Sequence, residues 1–166
     1  MRDDEATLHL LCGKIASGKS TLATALGGAP GRVVLDQDAW LFGLFGDRMQ
    51  TIDDYIAFSE RLRALIGPHV VRLLHAGVAV VLDFPANTPE DRTWMRSLID
   101  ASGARHLMHV LDVPTEVCWQ RLQFRNAEGR HPFQASRVQF EAITRHFSVP
   151  KPEEGFDLVW HEGSDG

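Results

Sequence analysis

Residues 13–20 read GKIASGKS, which fits the spacing G-x-x-x-x-G-K-S, and each fixed position has a chemical use. Gly13 and Gly18 let the backbone wrap tightly enough for consecutive N–H groups to aim at one anion. Lys19 supplies a charge for the outer phosphates, and the Ser20 hydroxyl supplies an oxygen for Mg²⁺. The stretch therefore predicts a nucleoside-triphosphate site made by Gly13, Lys14, Ala16, Ser17, Gly18, Lys19, Ser20 and Thr21. The next helix adds the positive end of its dipole. The alternative is a glycine-rich turn with an exposed lysine.

Three carboxylates follow short apolar runs. Asp36 and Asp38 come directly after VVL, one residue apart, and Asp83 comes after VAVVL. Carboxylates this close repel, so their placement calls for a use: a metal, a substrate hydroxyl, or the start of a helix. Asp83 is a candidate for holding a magnesium water or orienting a substrate, with loop capping as the alternative. Trp40 and Phe42 follow the aspartate pair; Phe42 reads as core, and Trp40 is a candidate wall for a substrate pocket. Arg121 and Arg125 are one helical turn apart and share a helix face, either a solvated basic face or a clamp for phosphate charge. Asn87, Thr88 and Arg92 lie near Asp83 in the sequence, but helix capping accounts for Thr88 and solvent exposure for Arg92 just as well as a place in the site.

Such residues need a frame. Strands are predicted at 6–12, 32–35, 78–83, 105–112 and 156–161. Helices are predicted at 19–27, at 89–101, from Pro114 to about Asn126, and at 134–146. From Ile52 to His75 apolar residues recur at helical spacing, and Gly67-Pro68 divides that run into two helices. Strands alternating with crossover helices predict an α/β fold with a mainly parallel sheet in one domain. Asp36, Asp38 and Asp83 then fall at the carboxyl edge of the sheet, where open α/β folds bind ligands.

Composition narrows the partners. Hydrophobic residues make up 44% and charged residues 23%, an ordinary balance for a soluble globular chain. A net charge of −5 gives no general attraction to nucleic acid or to an anionic membrane. No signal peptide or membrane span is visible in the sequence. Cys12 and Cys118 lack metal-ligand spacing and read as buried free thiols, which points to a cytoplasmic setting. The histidines at 69, 75, 106, 109 and 146 likewise show no ligand spacing and read as structural. No N-K-x-D is present to read guanine, and VAVVLDFPAN lacks the Asp-Glu pair of a motor ATPase.

Four stretches in order, GKIASGKST, LDQDAW, VLDFPANTPEDR and LDVPTEVCWQRLQFR, resemble the P-loop kinases of the polynucleotide kinase, zeta toxin and chloramphenicol phosphotransferase group. That group includes many bacterial "predicted kinases" of the AAA-type ATP-binding kind. The resemblance covers about residues 8–130, and FSVPKPEEGFDLVW is similar to the C-terminal strand of the predicted-kinase branch. It implies a P-loop NTPase fold with a core five-stranded parallel sheet, flanking helices and a helical lid at about 115–137. The kinase domain then spans 1–162, followed by a disordered tail at 163–166. It further implies ATP and Mg²⁺, a hydroxyl acceptor, and a phosphotransferase reaction.

Residue by residue, the resemblance places Asp38 as the carboxylate that takes the acceptor proton, with Asp36 beside it. Arg121 and Arg125 become lid arginines over the phosphates, and Arg130 and His131 follow in the lid loop. The substrate side comprises Asp36, Asp38, Trp40 and Asp83, and the metal side Ser20 and Asp83. One departure matters: Leu41 stands where polynucleotide kinases carry a basic residue that grips a substrate phosphate. This argues against DNA or RNA ends and toward a small, partly apolar hydroxyl compound. A nucleotide-binding regulator or weak ATPase acting through a protein partner is the second reading, and a nucleic-acid or toxin-type kinase a variant of the first.

Overall fold

The computed structural model describes residues 6–129 and 134–162. Five strands form one parallel sheet: β1 (Thr7–Gly13), β2 (Arg32–Asp36), β3 (Ala79–Pro85), β4 (Arg105–Leu111) and β5 (Leu158–His161). Their order across the sheet is β2-β3-β1-β4-β5. Parallel neighbours need crossovers, and helices supply them: α1 (Lys19–Gly27), α2 (Gln37–Phe45), α3 (Ile52–His75), α4 (Pro89–Ser102), α5 (Thr115–Glu128) and α6 (Arg137–Thr144). The central strands β1 and β3 are buried on both faces, as their unbroken apolar runs require. On the edge strands, Val33, Val34 and Trp160 are exposed.

The three longest helices besides α1 and α2 begin or end on local signals. Thr51 starts α3 and Thr88 starts α4, each with a reciprocal cap completed by Asp54 or Asp91. Gly103 and Gly129 close α4 and α5 with positive φ. The expected division at Gly67-Pro68 does not occur, because α3 runs unbroken for 24 residues with Pro68 inside it. Proline removes one helical hydrogen bond there, but Leu62 and Ile66 before it and Val70 and Leu74 after it all pack into the main core. Gly67 lets α4 come close: a Cβ would lie 3.3 Å from Leu98 and 3.5 Å from Trp94. Core packing on both sides of the proline outweighs the lost bond.

Arg92 is a second correction. It is 2% exposed rather than solvated. Its guanidinium donates to Glu154 at 2.7 Å, to the Ala86 carbonyl at 3.0 Å, to the Ser148 carbonyl at 2.8 Å and to the Ser148 hydroxyl at 3.0 Å. A buried cation bonded through all three of its nitrogens ties α4 to the segment leading into β5. Cys12 and Cys118 are both free and buried, and burial raises both thiols, Cys12 to about 11. Among the described residues no helix is long and apolar enough to cross a membrane.

Candidate active site

The carboxyl ends of β1, β2 and β3 open into a cavity of about 1190 Å³. Its floor is the loop from β1 to α1. Ala16 has φ 60° and Gly18 has φ 103°, so the loop coils back on itself. A Cβ on Gly13 would collide with the Ser17 hydroxyl, which makes glycine obligatory there. The Lys19 side chain curls into the loop, and its ammonium donates to the Gly13 carbonyl and, at 2.8 Å, to the Lys14 carbonyl. Burial lowers its pKa, and the charge of Asp83 opposes that shift. Lys14 turns to the other wall, donating to the Val113 carbonyl at 2.8 Å and lying 5.2 Å from the Phe147 ring centre.

Ser20 and Asp83, expected together at a metal, do meet: the hydroxyl donates to Asp83 Oδ2 at 2.8 Å. Burial raises the Asp83 pKa, and the charges of Asp36 and Asp38 push the same way. A buried carboxylate with other negative charge nearby is relieved by a cation, although among the described residues no three acidic, histidine or cysteine side chains cluster closely enough to hold one by themselves. The pair therefore fits a hard divalent ion that keeps most of its other ligands from water and phosphate.

The two aspartates of the opening pair have different settings. Asp36 caps α2, accepting from the Ala39 N–H at 3.1 Å. Asp38 lies in the first turn of α2 and accepts from the Tyr55 hydroxyl at 2.9 Å through Oδ1. Gln37 in turn donates its amide to the Tyr55 oxygen at 2.9 Å. Burial and the Asp38 charge push the Tyr55 pKa above its ordinary value, so the phenol stays protonated and keeps donating. Sequence reading took Tyr55 only as an apolar helical position; a partner 17 residues away leaves no local signal.

Arg121 and Arg125 both line the cavity from α5. Arg121 donates to the Ser17 carbonyl at 3.4 Å. Burial lowers the Arg125 pKa, and the Asp38 charge opposes the shift. Arg130 and His131 lie outside the described residues. Asn87, which the sequence places near Asp83 without a role, accepts from the Gly13 N–H at 2.9 Å through its side-chain oxygen and anchors the loop to the end of β3. The cavity wall also takes Phe147, His146, His161 and Glu162 from the C-terminal third.

Trp40 and Phe42 exchange places relative to expectation. Phe42 lines the cavity, whereas Trp40 does not and is 39% exposed. Positions 38 and 42 are one turn apart on α2, so the face that carries Asp38 inward carries Phe42 with it and turns Trp40 away. Leu41 is fully buried in the core. Two expected structural histidines have clear partners: His106 accepts from the Asp157 N–H at 3.1 Å, and His109 joins a row across three strands. His9 Nδ1 lies 3.1 Å from His109 Nε2, and His109 Nδ1 lies 2.9 Å from His161 Nε2. Burial and the two neighbouring rings lower the His109 pKa to about 4.

Comparison with known proteins bears on this site. The family described as AAA domain matches residues 8–150. No curated protein matches the chain at a significant level. Among solved structures, a Chloroflexus aurantiacus protein is similar at 17% identity and a TM-score of 0.76, covering 98% of this chain and 88% of its own. Kti12 of Chaetomium thermophilum, solved with ADP-AlF3, is similar at 16% identity and 0.71, covering 96% and 90%. The Mycobacterium tuberculosis APS kinase CysC, solved with AMPPNP and APS, is similar at 21% and 0.63, covering 98% and 91%. The chain belongs to the AAA domain family and has the fold of the P-loop kinases.

Proposed function

We propose that this protein moves the γ-phosphoryl group of ATP, bound with Mg²⁺, to a hydroxyl of a small molecule. The observation that carries this reading is the position of Asp38. It is held by Tyr55 on one oxygen, lines the same cavity as Lys19, Ser20 and Asp83, and feels the charge of Arg125. A nucleotide switch has no use for a supported carboxylate opposite the phosphate loop, whereas an acceptor hydroxyl needs a place to leave its proton. Two neighbours in this fold were solved with ATP analogues or mimics, which supports an adenine nucleotide as donor.

In this mechanism the loop N–H groups and Lys19 hold the phosphates, the ammonium leaving its two carbonyls to do so. Ser20 and Asp83 would hold the magnesium ion, which supplies charge neutralisation between the β- and γ-phosphates. Asp38 accepts the acceptor proton on Oδ2 while Tyr55 fixes Oδ1 and so fixes the plane of the carboxylate. The acceptor oxygen bonds to phosphorus, the bond to the bridging oxygen breaks, and ADP leaves. Arg121 and Arg125 meet the charge that spreads over the transferring oxygens. Phe42, Ile143 and Phe147 on the cavity wall restrict water, the competing acceptor.

A nucleic-acid end is a poor fit. Leu41 is sealed in the core and cannot reach a substrate phosphate. The test is to supply labelled ATP with 5′-hydroxyl oligonucleotides and, separately, with a pooled metabolite extract. Label in small molecules that disappears with Asp38→Asn supports the reading; efficient, salt-sensitive labelling of oligonucleotides overturns the choice of acceptor.

A further inference from the structure

Beyond Asp38, the cavity continues along one face of α3, through Ile52, Tyr55, Ile56, Ser59 and Arg63, with Glu60 at the rim. These positions recur at three- and four-residue steps, so the helix presents a single continuous wall. Ser59 is 7% exposed, and its hydroxyl has no hydrogen-bond partner. Gln37, at the base of the same wall, is 1% exposed. The Tyr55 hydroxyl gives its proton to Asp38, so its oxygen must accept from Gln37; this fixes the amide orientation. Gln37 Oε1 is then left as a buried acceptor without a donor. Buried polar atoms without partners in a substrate cavity mark where a ligand or water completes the bonding.

The charges around this wall are mostly negative, with Arg125 facing Asp38 from α5. Asp38, Glu60, Glu90 and Asp91 line it, and Arg63 is its cation. Arg63 is already committed, donating to Asp91 at 2.7 Å and lying 5.2 Å from the Trp94 ring centre. What remains for a ligand is Asp38 Oδ2, Gln37 Oε1 and the Glu60 carboxylate as acceptors, with the Ser59 hydroxyl able to play either part and the buried Arg63 Nε–H as a donor. Acceptors outnumber donors and the wall is net negative, so a complementary ligand brings donors and positive charge.

Resting on the kinase reading above, we propose that the α3 face is the acceptor subsite and takes a hydroxyl compound carrying a protonated amine, such as an amino alcohol or amino sugar. Its reacting hydroxyl meets Asp38. Its ammonium, about one helical turn further along, meets Ser59 and Glu60, while Phe42, Ile52 and Ile56 cover its carbon skeleton. An acid of the same size would place its carboxylate against Glu60 and Asp38. Ser59 and Glu60 are thus specificity-determining residues for a reaction whose proton acceptor is Asp38.

The experiment divides a bacterial metabolite extract by ion exchange into cationic, neutral and anionic fractions and incubates each with the enzyme and γ-labelled ATP. Label in the cationic fraction is the expected result. The labelled compound is then isolated and its kinetics followed in variants. Glu60→Gln and Ser59→Ala should each raise its KM about three- to tenfold, with the dissociation constant of ATP unmoved. Label confined to the neutral or anionic fraction overturns the subsite and leaves the kinase reading standing. A cationic substrate whose KM is unmoved by both variants also overturns it. No transfer into any fraction by a protein that still binds ATP overturns the kinase reading itself, and this proposal with it.

Discussion

The two ends of the cavity are built differently. The phosphate end is mostly backbone: the loop N–H groups, the carbonyls of Gly13 and Lys14, and the start of α1, with Lys19 and Ser20 from adjacent positions. The proposed acceptor end is side chains drawn from separate elements, Asp38 and Phe42 on α2 and Tyr55 and Ser59 on α3. A backbone site depends on glycine spacing and tolerates little change, while a side-chain site can be rewritten one residue at a time. The contrast implies that donor binding and acceptor choice are separable in this protein.

That separation can be broken experimentally. Lys19→Ala removes the charge against the outer phosphates, so turnover should fall below detection and ATP should bind weakly; calorimetry and an ADP-release assay report both. A folded variant with unchanged ATP affinity and rate would remove the donor site as drawn. Asp38→Asn keeps the Tyr55 hydrogen bond but takes no proton, so transfer should drop roughly 10²–10⁴-fold while ATP affinity stays put. If Asp36→Asn gives that pattern instead, the roles within the pair are reversed.

Arg125→Ala should lower turnover by about 10²-fold and change the nucleotide dissociation constant far less, because its charge matters most as the phosphoryl group moves. A merely structural arginine would lower the melting temperature and leave the rate per folded molecule intact. Tyr55→Phe removes the hydrogen bond to Asp38 Oδ1, and turnover should fall about tenfold with a shifted pH–rate profile.

The smallest effect lies away from the cavity ends, in the histidine row. The unfolded chain protonates His109 near its ordinary 6.5, and the folded chain only near 4. Between those values the unfolded state holds more protons, so folding stability falls as pH drops from about 6.5 to about 4. His109→Gln should flatten that part of the melting-temperature curve. An unchanged slope would mean other groups carry it.

Donor-site residues were legible in the sequence because their geometry is local: Lys19 bonds back to the Gly13 and Lys14 carbonyls of its own loop, and the strand before it is marked by an apolar run. The sheet followed from the same periodicity. The acceptor end was half legible. Asp38 could be placed because it follows a strand, but Tyr55 acts through tertiary contact with α2, and Trp40 and Phe42 could be told apart only once the phase of α2 was fixed. Asn87 and Arg92 were hidden for a related reason. Each sits in a polar stretch that reads as a solvated loop and helix start, and each is engaged by residues far away in the chain, Gly13 in one case, Ser148 and Glu154 in the other. Pro68 misled in the opposite direction, since a strong local breaker was overruled by the core.

The unbroken α3 has a further consequence. At 24 residues it is a beam about 36 Å long, held in the core on both sides of Pro68 and carrying the proposed acceptor wall along its first half. A beam without a hinge cannot re-aim its tip, so relatives of this chain that acquire new acceptors are expected to do so by exchanging side chains along one stripe. The heritable variation that matters is then concentrated at the few positions of that stripe, and a library randomised at 52, 56, 59 and 60 samples most of the acceptor chemistry this scaffold can reach.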